Sequence, residues 1–382
     1  MRIEIPADEF KERIKKVQKL MGEANLDTVL AFSTECEPAY VRYFADYWPS
    51  FETTAVLIPA SGEPALLIGP ESLTYASSHS RIPHIIRLTD FRESSQPDYP
   101  GAKIPTWHDV FSEFPTKRLG IAGFHMFPQA IYANLKAALG EGEILEADDL
   151  VRKVTLIKSP AEIRCLKESA RISELGFKAV LDKIRPGMTE VQVVAIATAA
   201  MLEAGAEAIG YPIWCCSGPN SIQAISRPTH RKIQKGEIVH VQIGAKVEGY
   251  STSVARPVVL GECADEIRQF MQMGCDAENL TIELMHSGVR ASDVAKQVHG
   301  FITERGYGDT ILYGPAHGCG QMECEYPFVE TNSKFVLEEN MTFHADMFLA
   351  SKKMGFRFED CIVVGKEAAE ELSSFRREVI IL

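Results

Sequence analysis

A chain of 382 residues, 46% hydrophobic and 24% charged, is long enough for two globular domains and a large buried core. Its net charge of −12 excludes nucleic acid and anionic membrane surfaces as main partners. No apolar run approaches the roughly 18 residues of a membrane span, and the charged start MRIEIPADEFKERIKK lacks a signal-peptide core, so a cytoplasmic protein is expected.

Phe10, Ile14, Val17, Leu20 and Met21 recur at helical spacing and predict a helix over 10–24. The short apolar runs DTVLAF, TTAVLIP, PALLIG, IIRLTD and RLGIAG follow, separated by Pro, Gly and Ser. They read as strands, with Pro59-Ala60-Ser61-Gly62 as a hairpin turn. Between them, Tyr43 to Glu52 is unusually aromatic and ends in an acid. With Trp48 and either Asp46 or Glu52 it suits recognition of a cationic small molecule, or it is an ordinary strand edge and hairpin.

The fold class is α/β (α+β), with a first domain over 1–150, a joint near 151–158 and a second domain over 151–382. Ser159-Pro160-Ala161-Glu162 combines a cap, a first-turn proline and a capping-box acid, so a long helix starts there and ends at Pro186-Gly187. Two stretches, Gly187 to Gly205 and Gly288 to Gly306, share length, helical pattern and glycine ends. Each follows a helix carrying Glu-Ile-Arg, at 162–164 and 266–268. Two halves related by a pseudo-twofold are expected. The nine cysteines form no CxxC pair, and Cys215-Cys216 is their only cluster, which reads as buried, reduced thiols.

The C-terminal half carries VQIGAKVEGYSTSVARP (241–257), GPAHGCG (314–320), MTFHADM (341–347) and GFRFED (355–360). In order and spacing these resemble the pita-bread hydrolases: creatinase, aminopeptidase P, prolidase and methionine aminopeptidase. RKVTLIKSPAEIRCLKESA (152–170) resembles the family's hinge and first helix. The N-terminal half resembles the domain of the creatinase and prolidase branch. The resemblance implies a pita-bread second domain and a homodimer acting on a small molecule. It also implies five metal-ligand positions, which hold Gln242, Ser253, His317, Asp346 and Glu359 here. Two of the four anionic positions are neutral here, and a two-metal site needs several anionic oxygens, so no dinuclear centre is expected. The family's two substrate-facing histidines fall near Ile225 and at Cys324. Creatinase, which works without metal, also lacks acids at the Gln242 and Ser253 positions. Its further acid falls at Ala255, and only His230 could stand for its loop histidine.

Side chains alternate across a strand, so each ligand position marks a site-facing parity. That parity adds His240, Ser251, His344 and Arg357. The expected catalytic groups are His317, His344, Asp346 and Glu359, and the expected substrate-binding groups are His240, Gln242, Ser251, Ser253, Arg357, Trp48 and Glu52. No cofactor is needed. A single divalent ion, if one binds, would use His317, His344, Asp346 and Glu359. The expected function is creatinase-like hydrolysis of a C–N bond in a small polar nitrogen-containing molecule. A metal-dependent Xaa-Pro dipeptidase or aminopeptidase P, and a non-catalytic binding homologue, are the alternatives.

Overall fold

The computed structural model describes residues 3–382, which fall into two compact units: Ile5–Leu156, and Ile157–Leu382 together with residues 3 and 4. The first unit runs α1 (Ala7–Ala24), β1 (Thr28–Ser33), α2 (Ala39–Ala45), β2 (Thr54–Pro59), β3 (Ala65–Ile68), α3 (Leu73–His79), β4 (Ile85–Arg87), α4 (Trp107–Glu113), β5 (Arg118–Ala122), α5 (Gln129–Leu139), β6 (Glu143–Glu146) and α6 (Asp148–Thr155). The strands form one sheet in the order β4-β3-β2-β1-β5-β6. Its apolar runs are continuous because both faces are covered. Val29, Ala31, Val56 and Ile58 pack with α1 and α2 on one face, while Leu30, Phe32, Ala55 and Leu57 pack with α4 and α5 on the other. Val151 and Val154 of α6 join the first of these cores, so the unit closes at Leu156.

The aromatic segment takes a different form from either expectation. Val41 to Ala45 are buried in helix α2, and Tyr43, Phe44 and Tyr47 enter the core. No aromatic wall results. Trp48 is half-buried, its Nε1 donating to the Glu35 carbonyl at 3.0 Å and its ring 5.6 Å from the Arg42 guanidinium. Glu52 is buried, and its carboxylate accepts from the backbone N–H groups of Glu71 (3.0 Å) and Ser72 (3.1 Å) and the Ser72 hydroxyl (2.5 Å). These are donors ahead of α3, so Glu52 anchors the start of that helix.

The second unit opens with α7 (Pro160–Lys183), with Ser159 and Glu162 forming the expected capping box. It continues through α8 (Glu190–Glu203), β7 (Ala208–Ile209), β8 (Trp214–Ser217), β9 (Ile238–Ile243), β10 (Ala245–Val247), β11 (Tyr250–Ser251), β12 (Val254–Val259), α9 (Asp265–Leu284), α10 (Ala291–Glu304), β13 (Ala316–Gly318), β14 (Glu325–Val329), β15 (Thr342–Ala350) and β16 (Gly355–Val363). The main sheet runs β14-β13-β15-β16-β12-β9-β8, with β7, β10 and β11 in a separate small sheet.

That order displays the repeat. Helices α7 and α8 precede β8, β9 and β12, while α9 and α10 precede β13, β15 and β16, and the last strand of each half pairs with the other. The matched glycines share a left-handed backbone: Gly187 and Gly288 both have φ +89°, Gly205 +102° and Gly306 +84°. A side chain at any of them would be strained, which explains why both copies keep glycine there.

The helices pack on one face of this sheet. Val239, Val241 and Ile243 of β9 meet Phe177, Val193 and Ala197 of α7 and α8. Phe356 of β16 meets Phe270 of α9, ring centroids 4.6 Å apart. At Gly274 of α9 an added Cβ would lie 2.1 Å from the Phe356 ring, so glycine sets this close approach. The opposite parity is left for polar side chains.

Candidate active site

Alternation about the apolar positions puts Gln242, His344, Asp346, Arg357 and Glu359 on the face away from the helices. The ladder aligns Asp346 with Glu359 and His344 with His317. Hydrogen bonds then tie them into one cluster. Gln242 Nε2 donates to Glu359 Oε2 (2.5 Å), and its Oε1 accepts from Arg357. The two partners fix the amide orientation. Ser253 Oγ donates to the same Glu359 oxygen at 2.9 Å, and the Tyr211 hydroxyl lies 2.7 Å from Ser253 Oγ. Arg357 Nε pairs with Asp346 Oδ1 at 2.9 Å, and its other arm donates to the Tyr313 hydroxyl at 2.5 Å. Tyr313 donates to Asp346 Oδ2 at 2.9 Å. Burial and the Asp346 charge push the Tyr313 phenol well above its ordinary range, so it stays a donor.

His317 Nδ1 lies 3.0 Å from its neighbour's carbonyl, that of Gly318, and donates to it. Nε2 is then the lone-pair nitrogen, facing Asp346 (3.8 Å), Glu359 (3.9 Å) and a residue absent from the sequence reading, Glu323 (3.9 Å). Glu323 lies in the connection between β13 and β14. Strand periodicity gives no information there. Its one signal in the sequence is an acid six residues beyond His317. Glu323 Oε1 is also 3.6 Å from His344 Nδ1 and 3.4 Å from Gln242 Nε2.

The carboxylates are driven in opposite directions. Burial, then the negative charges of Glu323 and Asp346, hold the Glu359 carboxyl well above its ordinary range. Burial also opposes ionisation of Glu323, but the neighbouring imidazoles of His344 and His317 outweigh it and hold that carboxyl below its ordinary range. Such a split separates a proton donor from an ionised partner.

The remaining expected positions do not join the cluster. Ser251 lies in β11 of the small sheet, pairs with Lys246, and its hydroxyl has no hydrogen-bond partner. The alternation extrapolated from Ser253 fails because the chain changes sheets between β11 and β12. His240 has the site-facing parity but is fully buried beside Phe348, with neither ring nitrogen bonded. Burial depresses its pKa well below the ordinary value, so it is a neutral, sealed ring. Ile225, His230 and Cys324 are exposed. Cys215 and Cys216 are buried, and Cys319 and Cys361 bring their Sγ atoms within 3.4 Å.

A dinuclear centre does not fit these residues. Gln242 and Ser253 present hydrogens, not lone pairs, to Glu359, and Arg357 already holds Asp346. For one ion, the donor atoms of His317, Glu323, His344 and Glu359 lie within 4.8 Å of one another. His344 opposes it: its Nε2 accepts the Ser253 backbone N–H at 3.0 Å, so the ring proton is on Nδ1, the nitrogen that would have to bind. The single-ion set of His317, His344, Asp346 and Glu359 fails for that reason, with Asp346 committed to Arg357 as well.

The model of metallopeptidase family M24 matches residues 164–366, more than half of the chain. The chain belongs to this family. The creatinase/prolidase N-terminal domain matches 13–157. An uncharacterized peptidase, YqhT, of Bacillus subtilis is 26% identical, covering 97% of this chain and 100% of the relative. The creatinase of Bacillus sp. (strain B-0618) is also 26% identical, over 96% of this chain and 91% of its own. The Xaa-Pro dipeptidase structure from Bacillus anthracis superposes with a TM-score of 0.84 at 25% identity, covering 98% of this chain and 100% of that one. The pita-bread architecture of the M24 family is therefore the fold of this chain, and the family's divalent-metal chemistry is the point at which its side chains depart.

Proposed function

We propose that this M24 member hydrolyses a C–N bond in a small polar nitrogen-containing molecule without a dinuclear metal centre. The observation that carries the reading is the pair of hydrogen bonds from Gln242 and Ser253 to Glu359, which put donors where metal-binding anions are needed. In this reading His317 Nε2 takes a proton from the attacking water, whose oxygen bonds to the substrate carbon. The C–N bond breaks as the leaving nitrogen takes a proton from Glu359. The Gly318 carbonyl orients His317 through Nδ1, and Asp346, fastened by Arg357 and Tyr313, faces Nε2 and offsets the charge that nitrogen gains. Arg357, Gln242 and Ser253 brace the carboxylates. A cytoplasmic homodimer accompanies this reading on family grounds.

The test is a turnover screen in chelator with creatine, cyclic amidines, N-acyl amino acids and Xaa-Pro dipeptides. Hydrolysis of a compound from the first three groups is expected. The second reading, a metal-dependent Xaa-Pro dipeptidase, is favoured by full-length similarity to proteins of that name. Xaa-Pro cleavage appearing only with manganese or cobalt would establish it. No turnover under either condition would leave a binding protein.

A further inference from the structure

The tryptophans of the chain use their indole nitrogens differently. Trp107 Nε1 donates to Asp90 Oδ2 at 2.7 Å, and Trp48 Nε1 donates to the Glu35 carbonyl at 3.0 Å. Trp214 is half-buried, and its Nε1 completes no hydrogen bond among the described residues, although it reaches solvent. An indole N–H inside a fold usually finds a partner. The ladder shows where this one is carried. Trp214 stands opposite Gln242 in the pairing of β8 with β9, so it shares the face of the cluster, while Cys215 turns to the helices. Strand β8 ends the main sheet, which makes Trp214 a side wall of the site.

The ring is fixed before any ligand arrives. The Arg357 guanidinium lies 4.8 Å from its centroid, and the Tyr211 ring meets it edge-on with centroids 6.1 Å apart. Tyr211 is itself held, its hydroxyl 2.7 Å from Ser253 Oγ. Gly244 gives that ring its room: an added Cβ would lie 2.4 Å from the Tyr211 ring and 2.2 Å from the Thr252 carbonyl. The result is a rigid aromatic wall with one uncommitted donor, and rigidity lowers the cost of binding.

The surrounding charges decide what that donor can take. Arg357 is the cation of this wall, and it already faces Asp346 at 2.9 Å while its other N–H groups serve Gln242, Tyr313 and the Ala224 carbonyl. Glu323 adds a negative charge that no lysine or arginine among the described residues pairs with. A further anion meets net repulsion there. A cation finds no acceptor on an indole. An uncharged acceptor is what fits.

We propose that Trp214 sets the specificity of this site by donating its indole N–H to an uncharged carbonyl oxygen of the substrate, of the amide, lactam or urea type. The assignment rests on the reading of the site as one for small polar nitrogen-containing molecules, and it narrows that class to carbonyl-bearing ones.

The probe is γ-butyrolactam, followed in the indole region of proton–nitrogen correlation spectra of the labelled full chain, where each tryptophan gives one signal. Saturable movement of the Trp214 signal is expected, with the Trp48 and Trp107 signals unmoved; Trp48→Phe and Trp107→Phe assign them. Trp214→Phe keeps a ring against Arg357 but removes the donor, and it should weaken lactam binding about fivefold, the value of one neutral hydrogen bond. Pyroglutamate, the same ring with a carboxylate, should bind wild type more weakly than the lactam. A Trp214 signal that stays still, an unchanged affinity in Trp214→Phe, or tighter binding of pyroglutamate overturns the assignment. The wild-type spectra decide the matter if Trp214→Phe fails to fold. A moving Trp214 signal with no turnover in the substrate screen supports the indole donor and sinks the hydrolase reading alone. Turnover of a carbonyl-bearing substrate with a still Trp214 signal sinks the donor alone.

Discussion

The Ser253 backbone N–H and His344 Nε2 are joined by a 3.0 Å hydrogen bond across the sheet. No substitution at 253 other than proline removes this main-chain donor, so the bond fixes the His344 tautomer whatever other side chain stands there. The proton on Nδ1 then points at Glu359 Oε1 and Glu323 Oε1, 3.3 and 3.6 Å away. In the proposed reading His344 belongs to an acid–imidazole relay rather than to a metal shell.

The first consequence concerns metals. A site filled a thousandfold above its dissociation constant stabilises a fold by about 4 kcal/mol. Chelator-dialysed protein should instead show a thermal midpoint that moves by less than about 1 °C on adding millimolar manganese or zinc. Elemental analysis finding two metal equivalents retained through purification would overturn the ligand argument.

Asp360 alternates with Glu359 and faces away from the site. Arg256 is wholly buried and donates to both Asp360 oxygens, at 2.9 and 2.8 Å, and to the Glu359 carbonyl at 3.1 Å. Arg377 pairs with the same carboxylate at 2.8 Å. Asp360→Ala would leave two partly or fully buried guanidinium groups without it. A loss of about 3–5 kcal/mol in urea denaturation is expected. A loss under about 1 kcal/mol would show that the pair is not what holds β16 beneath Glu359.

Gly274→Ala should destabilise, against the helix preference for alanine. The new methyl would meet the buried Phe356 ring, immediately before Arg357 on the same strand. A cost of about 1–3 kcal/mol is expected by equilibrium unfolding. A more stable variant would mean that α9 can move off β16 freely.

Glu278 of α9 is fully buried and neither of its oxygens has a hydrogen-bond partner. Burial, then the charge of Asp360, hold its carboxyl well above the ordinary range. The unfolded chain loses this proton near pH 4.3 and the native state keeps it to higher pH. The native state therefore binds more protons above that point, and stability falls as pH rises through the window. Glu278→Gln should flatten that decline between about pH 5 and the folded-state pKa. Parallel stability–pH curves for the two proteins would refute it.

Glu52 gives a contrasting test. Replacing it by Ala removes the anchor ahead of α3 and should cost about 1–2 kcal/mol. A loss below about 0.5 kcal/mol by equilibrium unfolding would show that Glu52 is not what anchors α3.

Much of the second unit could be read from the chain because its sheet has a regular alternation. Val239, Val241 and Ile243 turn to the helices, so Gln242 turns away from them, and the same parity delivers His344 with Asp346 and Arg357 with Glu359. Ser251 was out of reach because alternation carries no information once a chain changes sheets. Glu323 was hidden for a related reason: a hairpin connection has no period, and its direction depends on Lys246 and Ser251 gripping its backbone. At Glu52 an acid beside aromatic residues looks like a binding motif, and the sequence does not show that the backbone ahead of α3 binds that acid.

The pseudo-twofold has a chemical asymmetry. The first half contributes Gln242, Ser253 and Tyr211, which donate or accept hydrogen bonds and carry no charge at neutral pH. The second half contributes His317, Glu323, His344, Asp346, Arg357 and Glu359, all the ionisable members of the cluster apart from phenols. In the proposed reading, one copy of the repeat moves protons while its twin sets the shape around them. Selection on the first copy can retune which molecule fits without rebuilding the acids and bases, and that freedom is unavailable to a relative whose two halves must share the ligation of a metal pair.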